Sequence, residues 1–399
     1  MEGIDVALTV GIHDIALATG HYALSLEDLA ERHGVDPGKY TVGLGQTTQT
    51  VPATDEDIVT MAAAAAKQII AEHDAGDIRT VLLATETGID QSKAAAVYVQ
   101  DLLGLSSSTR AVELKQACYG GTSALQFAAG LVHRDPEQRV LVLASDIATY
   151  DVDSAGEATQ GAAAVAMLVS ADPAVAVLEP TSGLYTANVQ DFWRPNYRST
   201  PMVDGKLSVS LYLEAAEQAW KDYEARGGRA IEDFAAFCYH QPFTKMAYKA
   251  HARLLEIHGI DAQMARLDAD LAHTTSYNRL IGNSYTASLY VALLSLLDHA
   301  EDLSGRSVGM LSYGSGCVAE FFGLSMVPGY RQRLRTSSNQ DAIARRESIS
   351  YERYRAIRDF ELPEDGSSTV LEVDGAGGFR LRAVTEHSRM YEACHPIQA

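Results

Sequence analysis

The stretch VELKQACYGGTSALQFAAGL (residues 112–131) decides the fold of this chain. Its first residues form a β-type apolar run that breaks at Lys115. After Cys118, small residues lead into apolar positions at helical spacing, including Leu125 and Leu131. The stretch therefore predicts a strand, a short turn and a helix, with a single thiol at the junction.

A cysteine at such a junction has two interpretations. A buried cysteine is usually a compact apolar filler. Alternatively, Cys118 is a nucleophile, because the positive end of a helix dipole lowers the pKa of a thiol and favours the thiolate. Gly120 and Gly121 would then leave room beside the thiol for an acyl group. The local pattern alone does not choose between these interpretations.

Strand-like and helical runs alternate on both sides of this stretch, which predicts an α/β fold with helices on the faces of a sheet. In the first half, strands are predicted at residues 79–85, 110–115, 139–145 and 162–170, and helices at 58–75, 91–103 and 118–133. In the second half, strands are predicted at 233–240, 307–316 and 318–327, helices at 244–258 and 284–300, amphipathic helices within 331–359 and a hairpin at 369–384. Two halves of related layout, residues 1–172 and 173–399, would join near residues 172–190.

The composition excludes several classes of protein. The 399 residues are 47% hydrophobic, yet no apolar run approaches the ~20 residues that span a bilayer. A formal net charge of −20 argues against a general nucleic-acid binder. The four cysteines form no CxxC pair, which argues against a zinc site and a disulfide framework. Such cysteine usage suits a reducing compartment, so we expect a cytoplasmic protein without a membrane partner.

Four further places could carry chemistry, and each has an ordinary structural alternative. His240 follows a predicted strand, where it could donate a proton or a hydrogen bond into a crevice. Asn283 could orient a carbonyl group or cap a helix. The loop at residues 312–317 (SYGSGC) could present backbone N–H groups to an oxyanion or form a tight turn. Glu86 ends a buried strand, so it could be a base with a raised pKa or a helix cap.

Together these residues resemble the active site of the thiolase-fold condensing enzymes. The closer resemblance is to the 3-hydroxy-3-methylglutaryl-CoA (HMG-CoA) synthases, of the bacterial mevalonate-pathway type, over residues 12–389. The matching segments are KYTVGLGQ (39–46), PATDEDIVTMAAAAA (52–66), ATETGIDQSKAAAVYV (84–99), VELKQACYG (112–120), GEATQGAAAVAML (156–168), DFWRPNYR (191–198), YHQPFTKMAYKAH (239–251), IGNSYTAS (281–288) and SYGSG (312–316). The resemblance implies a thiolase-like fold with two related halves in α-β-α-β-α layers.

The resemblance also implies an acyltransferase that condenses acetyl-CoA with acetoacetyl-CoA. Cys118 would carry the acetyl group, and Glu86 would remove a proton from its methyl carbon. His240 would polarise the acceptor carbonyl, and Asn283 would help to hold it. Backbone N–H groups of Cys118 and Ser315 would form an oxyanion hole, and water would release HMG-CoA.

A row of cations provides a candidate coenzyme site. Lys245, Lys249 and Arg253 are spaced i, i+4, i+8, which is an ordinary solvated helix face unless phosphates bind there. The resemblance assigns Lys245 and Lys249 to the CoA phosphates and leaves Arg253 open. It places Tyr150 in the acyl pocket and makes Asp191 a candidate supporting carboxylate.

We expect a homodimer that needs no metal and no cofactor, with CoA thioesters as substrates. One alternative is the polyketide version of the synthase, in which an acyl carrier protein presents the β-ketoacyl acceptor. Another is an inactive thiolase-fold scaffold subunit, which the intact set Cys118, His240 and Glu86 argues against. The sequence contains no GxSxG motif that would indicate a serine hydrolase.

Overall fold

The computed structural model describes residues 8–394. In this part of the chain the strands are β1 (Gly11–Thr19), β2 (Tyr22–Ser25), β3 (Thr48–Val51), β4 (Ile78–Ala84), β5 (Arg110–Leu114), β6 (Arg139–Ile147), β7 (Ala162–Ser170), β8 (Ala176–Thr186), β9 (Phe192–Trp193), β10 (Met202–Val203), β11 (Phe234–Tyr239), β12 (Ser307–Gly314), β13 (Val318–Met326), β14 (Glu347–Ile349), β15 (Thr369–Val370), β16 (Phe379–Thr385) and β17 (Ser388–Ala393). The α-helices are α1 (Leu26–Arg32), α2 (Ile58–Ile70), α3 (Ala95–Leu102), α4 (Gly120–Arg134), α5 (Gly205–Ala225), α6 (Thr244–Ile257), α7 (Met264–Ile281), α8 (Ser288–His299), α9 (Thr336–Ala344) and α10 (Tyr351–Arg358).

One pattern of strand pairing occurs twice in the main sheet. The strand order is β11-β12-β13-β8-β1-β7-β6-β4-β5. In the first half, β4 pairs parallel with β6, β6 antiparallel with β7, and β7 antiparallel with β1. In the second half, β11 pairs parallel with β12, β12 antiparallel with β13, and β13 antiparallel with β8. The repeated pattern confirms the prediction of two related halves.

The core is divided into layers by the alternation of side chains along the strands. On β4, Leu82 packs into the central cluster with α4 and α8, whereas Val81 and Leu83 pack outward against α2 and α3. On β12, Met310 faces the central layer and Leu311 faces α5 and α6. The order helices, half-sheet, helices, half-sheet, helices confirms the predicted five layers.

The two half-sheets meet where β1 crosses β8, and only Gly11 and Ile12 pair across this crossing. A Cβ at Gly11 would overlap the carbonyl oxygen of Ala176, so the close approach requires glycine here. The sequence pattern predicts only a connection between the halves near residues 172–190. This prediction is incomplete, because β8 lies within this segment and completes the second half-sheet.

The predicted elements are present, but several boundaries were wrong for local reasons. The helix predicted at 58–75 ends at Ile70, because the Asp74 side chain caps a separate 3-10 turn. The helix predicted from residue 91 begins at Ala95, because the Asp90 carboxylate accepts the N–H groups of Ser92 and Lys93 and turns the chain.

Two further boundaries bear on the functional site. The helix predicted from residue 118 begins at Gly120, so Cys118 precedes it. The helix predicted from residue 284 begins at Ser288, after a 3-10 turn at Tyr285–Ala287. The predicted C-terminal helices are α9 and α10 with β14 between them, and the predicted hairpin pairs β15 with β16, which also pairs with β17. Between residues 8 and 394, no helix combines the length and the apolarity needed to span a membrane.

Candidate active site

Cys118 lies in a strained turn between β5 and α4. The preceding residue, Ala117, has φ of 44°, in the left-handed region that non-glycine residues rarely adopt. Gln116 and Cys118 form an isolated β-bridge, and Tyr119 is the N-cap residue of α4. Backbone strain at such a turn is typical of positions that the surrounding structure holds for function.

The two glycines after Cys118 serve helix packing, which corrects the expectation that they leave room for substrate. A Cβ at Gly121 would lie 2.6 Å from the carbonyl oxygen of Thr286 and 2.9 Å from the Tyr290 ring. A Cβ at Gly120 would lie 3.1 Å from a Thr286 methyl group. The glycines therefore allow the start of α4 to approach the segment that begins α8.

The thiol of Cys118 is held next to the carboxylate of Glu86. The Sγ donates a hydrogen bond to Glu86 Oε2 at 3.5 Å. Burial and the nearby carboxylates of Glu86 and Asp146 raise the thiol pKa well above its ordinary value. The prediction of a pKa lowered by the helix dipole was wrong, because desolvation and two like-signed neighbours outweigh it. The free thiol is protonated, and its proton points at the carboxylate that could take it.

Glu86 has the raised pKa that the sequence predicted, at about 8. Desolvation is the main cause and the charge of Asp146 adds to it, while Arg194 acts in the opposite direction. Asp146, at the end of β6, is buried, and its Oδ1 accepts the backbone N–H of Glu86 at 2.8 Å. The hydroxyl group of Thr85 donates to the same oxygen at 2.7 Å, so the helix-cap alternative for this cluster does not apply. The cluster instead fixes the end of β4.

His240 follows β11, which has the same place in the second half as β4 has in the first. It is 2% exposed, and desolvation lowers its pKa to about 3, so the imidazole is neutral at physiological pH. Its Nδ1 has no hydrogen-bond partner among residues 8–394. The ring stacks on Tyr212 at 6.4 Å between centroids, and burial raises the pKa of that tyrosine. A buried neutral imidazole can donate or accept a hydrogen bond from a ligand.

Asn283 is buried just before α8, the counterpart of α4. Its Oδ1 accepts the N–H of Tyr285 at 2.9 Å, which fixes the turn before α8, whereas the N-cap residue of α8 is Ala287. Tyr285 has φ of 44°, and its ring lies 6.0 Å from that of Phe192. The Tyr150 ring lies 6.1 Å from that of Phe192, and burial, with the nearby Glu86 carboxylate, raises the pKa of Tyr150. Three aromatic rings therefore lie beside the reactive pair.

The SYGSG loop (residues 312–316) includes the last residues of β12 and turns at Ser315, and it lies against the Cys118 turn. A Cβ at Gly314 would lie 2.5 Å from the Gln116 carbonyl oxygen, and the Gln116 Nε2 donates to the Ser315 carbonyl at 3.3 Å. Asp191 holds this loop from behind: its Oδ1 accepts the Gly316 N–H at 3.0 Å. Its Oδ2 accepts the Tyr313 hydroxyl at 2.8 Å. The predicted supporting role of Asp191 thus has a structural basis.

A cleft of about 1040 Å³ opens beside the Cys118 turn. Glu86, Ala117 and Ser315 line it, and so do the cations Lys93, Lys115, Arg194 and Arg198. Arg194 donates a hydrogen bond to the backbone carbonyl of Glu86. This residue was missed in the sequence analysis, although it lies in the quoted segment DFWRPNYR beside Asp191.

The cationic row on α6 divides into two kinds of residue. Arg253 is paired with Glu217, whose Oε2 lies 2.9 Å from its Nε. Lys245 and Lys249 form no ion pair with the described residues, and their Nζ atoms lie near the rings of Tyr248 and Phe243. The two lysines predicted to bind phosphates are therefore the ones that carry uncompensated charge.

The structure thus brings Glu86, Cys118, Ser315 and Tyr150 to one place, and His240 is connected to it through the rings of Tyr212 and Tyr313. Asp146, Tyr212 and Tyr285 also belong to this cluster, and no sequence pattern gives any of the three a role. Their signal was weak, because a polar residue after a strand and a tyrosine in a helix are common in any α/β protein. All four cysteines are free.

Comparison with known proteins gives consistent matches. The family model "Hydroxymethylglutaryl-coenzyme A synthase N terminal" matches residues 7–174, and the C-terminal model matches 176–273 and 259–361. The hydroxymethylglutaryl-CoA synthase of Enterococcus faecalis is 40% identical over 364 residues, covering 91% of this chain and 95% of that protein. The polyketide-biosynthesis 3-hydroxy-3-methylglutaryl-ACP synthase PksG of Bacillus subtilis is 30% identical, with 88% of each chain covered.

Solved structures agree with the sequence matches. A crystal structure of HMG-CoA synthase complexed with CoA has a TM-score of 0.91 and 39% identity, covering 97% of this chain and 100% of that chain. MvaS in complex with 3-hydroxy-3-methylglutaryl coenzyme A has a TM-score of 0.89 and 36% identity, covering 97% and 99%.

Proposed function

This chain belongs to the hydroxymethylglutaryl-CoA synthase family, and from that premise we propose that it condenses acetyl-CoA with acetoacetyl-CoA and water to give HMG-CoA and CoA. The observation that carries the proposal is the 3.5 Å contact between the Cys118 thiol and the Glu86 carboxylate. A condensing enzyme needs a nucleophile for the acyl group and a base for its α-carbon, and this contact joins the two.

In the first half-reaction, the Cys118 sulfur attacks the acetyl-CoA carbonyl as its proton leaves toward Glu86. The tetrahedral oxygen is stabilised by the backbone N–H groups of Cys118 and Ser315. Collapse expels CoA, which takes up a proton, and leaves an acetyl thioester on Cys118. The short distance between the Cys118 turn and the SYGSG loop supports this oxyanion hole.

In the second half-reaction, Glu86 removes a proton from the acetyl methyl group and the carbon attacks C3 of acetoacetyl-CoA. The C3 oxygen takes up the proton that Glu86 has removed, so the product carries a C3 hydroxyl group and Glu86 is ionised again. His240 donates a hydrogen bond to the C3 oxygen. Asn283 holds either the same oxygen or the thioester carbonyl oxygen of acetoacetyl-CoA. A neutral imidazole suits this role, because a fixed donor in a dry site stabilises developing negative charge. Water then hydrolyses the thioester at Cys118, which releases HMG-CoA.

Lys245 and Lys249 would bind the phosphates of CoA. Their uncompensated charges, on a chain of net charge −20, support this assignment. Tyr150 would line the acetyl pocket together with the Phe192 and Tyr285 rings. The scheme requires no metal and no cofactor beyond the CoA thioesters.

The biological setting is also a proposal. We propose a homodimer, since β5 is an edge strand with open backbone groups, and exposed apolar residues lie nearby at Val112 and Phe127. Free cysteines support a reducing, cytoplasmic location. The similarity to the Enterococcus faecalis protein supports the mevalonate route over polyketide synthesis, because the identity to PksG is lower.

A steady-state assay tests the function directly. The purified protein should consume acetoacetyl-CoA in the presence of acetyl-CoA and form HMG-CoA, and mass spectrometry should find the acetyl group on the Cys118 peptide. Turnover with acetoacetyl attached to an acyl carrier protein, without turnover of the free CoA ester, would favour the polyketide version instead. Failure to acetylate Cys118 would favour the inactive scaffold.

A further inference from the structure

Residues 148–161, between β6 and β7, form what we call the acyl-pocket loop. It brings Tyr150 beside the reactive pair, and near its other end Thr159 accepts the backbone N–H of Asn283 at 3.0 Å. One connecting loop therefore reaches two of the proposed substrate-binding residues. Whatever fixes this loop also fixes the shape of the acyl pocket.

Both backbone polar groups of Tyr150 are held by side chains. Its N–H donates to Gln160 Oε1 at 2.7 Å. Its carbonyl oxygen accepts from Nη2 of Arg358 at 2.8 Å, and Nη1 of the same guanidinium donates to Gln160 Oε1 at 2.8 Å. Arg358 is the last residue of α10, almost 200 residues beyond the loop along the chain. Its two-pronged contact holds Tyr150 directly and through Gln160.

Tyr354, one turn earlier on α10, holds the rest of the loop. Its hydroxyl donates to Glu157 Oε1 at 2.7 Å and accepts from Gln160 Nε2 at 2.9 Å. Glu157 is buried, and its other oxygen accepts the Asp153 N–H at 2.7 Å and contacts His33 at 3.1 Å. Tyr354 thus joins Glu157 and Gln160, so α10 holds both the middle and the end of the loop.

The contacts of Arg358 differ from those of its neighbours. Arg353 and Arg355 on the same helix pair with the carboxylates of Asp374 and Asp359. Arg358 forms no ion pair with residues 8–394. Its two Nη atoms donate instead to two neutral acceptors, the Tyr150 carbonyl oxygen and Gln160 Oε1, which also accepts the Tyr150 N–H. A guanidinium is suited to such fixed, two-pronged geometry.

We propose that Arg358 and Tyr354 are positioning residues that set the place of Tyr150 in the acyl pocket and thereby favour acetyl over larger acyl donors. The preference for acetyl donors rests on the proposed function, whereas the positioning of the loop by α10 does not depend on it. Without the Arg358 fork, the Tyr150 carbonyl loses its partner, the loop moves, and the aromatic wall of the pocket loosens.

The test compares R358Q with R355Q, which removes the same charge from the same helix without touching the loop. R358Q should lower kcat/KM for acetyl-CoA about tenfold, because a hydrogen bond from a charged donor is lost. The ratio of propionyl-CoA to acetyl-CoA turnover should rise, and R355Q should match the wild type. R358K, which keeps the charge but not the fork, should be intermediate.

Hydrogen exchange supplies a readout that does not depend on the reaction. The amide of Tyr150 should exchange faster in R358Q, and that of Asp153 should exchange faster in Y354F, while R355Q leaves both unchanged. Y354F also keeps the proposal testable if R358Q fails to fold.

Unchanged Tyr150 exchange with an unchanged donor ratio in R358Q would overturn the inference. A uniform loss of activity with a lower Tm and the same donor ratio would also overturn it, because it would show a structural role only. If the wild type makes no HMG-CoA, the proposed function fails by itself, and the exchange data still decide whether α10 positions the loop.

Discussion

The two halves of this molecule place a titratable side chain after equivalent strands, and burial shifts the two pKa values in opposite directions. β4 and β11 have equivalent places in the repeated pairing. Glu86 lies two residues beyond the end of β4, and His240 directly follows β11. Desolvation raises the pKa of the first to about 8 and lowers that of the second to about 3. Loss of water disfavours the charged form in both cases, so an acid and a base shift in opposite directions. The same fold position thus yields a proton acceptor in one half and a neutral donor in the other.

The helices that follow show the same contrast. α4 begins after Cys118 and α8 begins after Asn283, and the two helices lie in the central layer. The first half supplies the groups that exchange protons and form a covalent bond, whereas the second supplies groups that hold and polarise. Substitutions in the two halves should therefore slow different steps of the reaction.

The largest effect is expected for Cys118→Ala. Without the sulfur no acetyl-enzyme can form, so kcat should fall by at least about four orders of magnitude. Mass spectrometry after mixing with acetyl-CoA measures the acetylated fraction directly. Cys238→Ala is the matched control, because Cys238 is a core residue on β11. This variant should be less stable than the wild type but should still be acetylated at Cys118. Acetylation of the Cys118→Ala protein at another site would refute the assignment.

Glu86→Gln should come next, with a loss of about 10³-fold in the condensation step. The amide keeps the shape of the side chain but cannot accept the methyl proton. Acetylation of Cys118 should slow by a smaller factor than condensation, because a thiol gives up its proton far more readily than a methyl group does, and the fold should remain intact. Rapid-quench measurement of the two half-reactions separates the steps, and normal condensation by this variant would show that another residue is the base.

His240→Ala should reduce condensation by about 10²-fold, through loss of one hydrogen bond to the acceptor oxygen. The substitution lies in the second half, so the pre-formed acetyl-enzyme should persist and accumulate. Its lifetime can be followed by mass spectrometry in the presence of acetoacetyl-CoA. Equal damage to acetylation and condensation would mean that the histidine acts in both half-reactions.

The pH dependence of condensation should show one limb rather than two. Glu86 must be ionised to act as a base, so the rate should rise about tenfold per pH unit below about 8 and level off above it. His240, with a pKa of about 3, should add no limb between pH 5 and 8. Single-turnover rates of the acetyl-enzyme across this range provide the measurement, and a limb near pH 6.5 would contradict the neutral imidazole.

The smallest effects are expected at the coenzyme lysines. Lys245→Ala and Lys249→Ala should each raise KM for the CoA thioesters about 3- to 10-fold with little change in kcat, because the phosphates lie far from the reacting atoms. Lys221→Ala is a suitable control, since Lys221 is on α5 and pairs with Glu217. A fall in kcat without a change in KM would argue against phosphate binding.

Much of the site was predictable from local sequence. Cys118, Glu86 and His240 each follow a strong strand pattern, and Lys245 and Lys249 stand out on an acidic chain. The raised pKa of Glu86 also followed from its place at the end of a buried strand. By contrast, the thiol pKa and the role of Gly120 and Gly121 were predicted wrongly. Both depend on packing against distant segments. Burial and the carboxylates of Glu86 and Asp146 raise the thiol pKa, and the Thr286 turn packs against the two glycines.

The sequence by itself determined the α/β class, the two halves and the motifs that carry the reactive side chains, because these depend on periodicity and residue type within short windows. Tertiary structure alone decided which groups meet. It placed a second carboxylate behind Glu86, took water away from His240, and brought Arg358 of the C-terminal helix to the backbone of Tyr150. Desolvation and long-range contacts depend on packing in three dimensions, so no local pattern contains them.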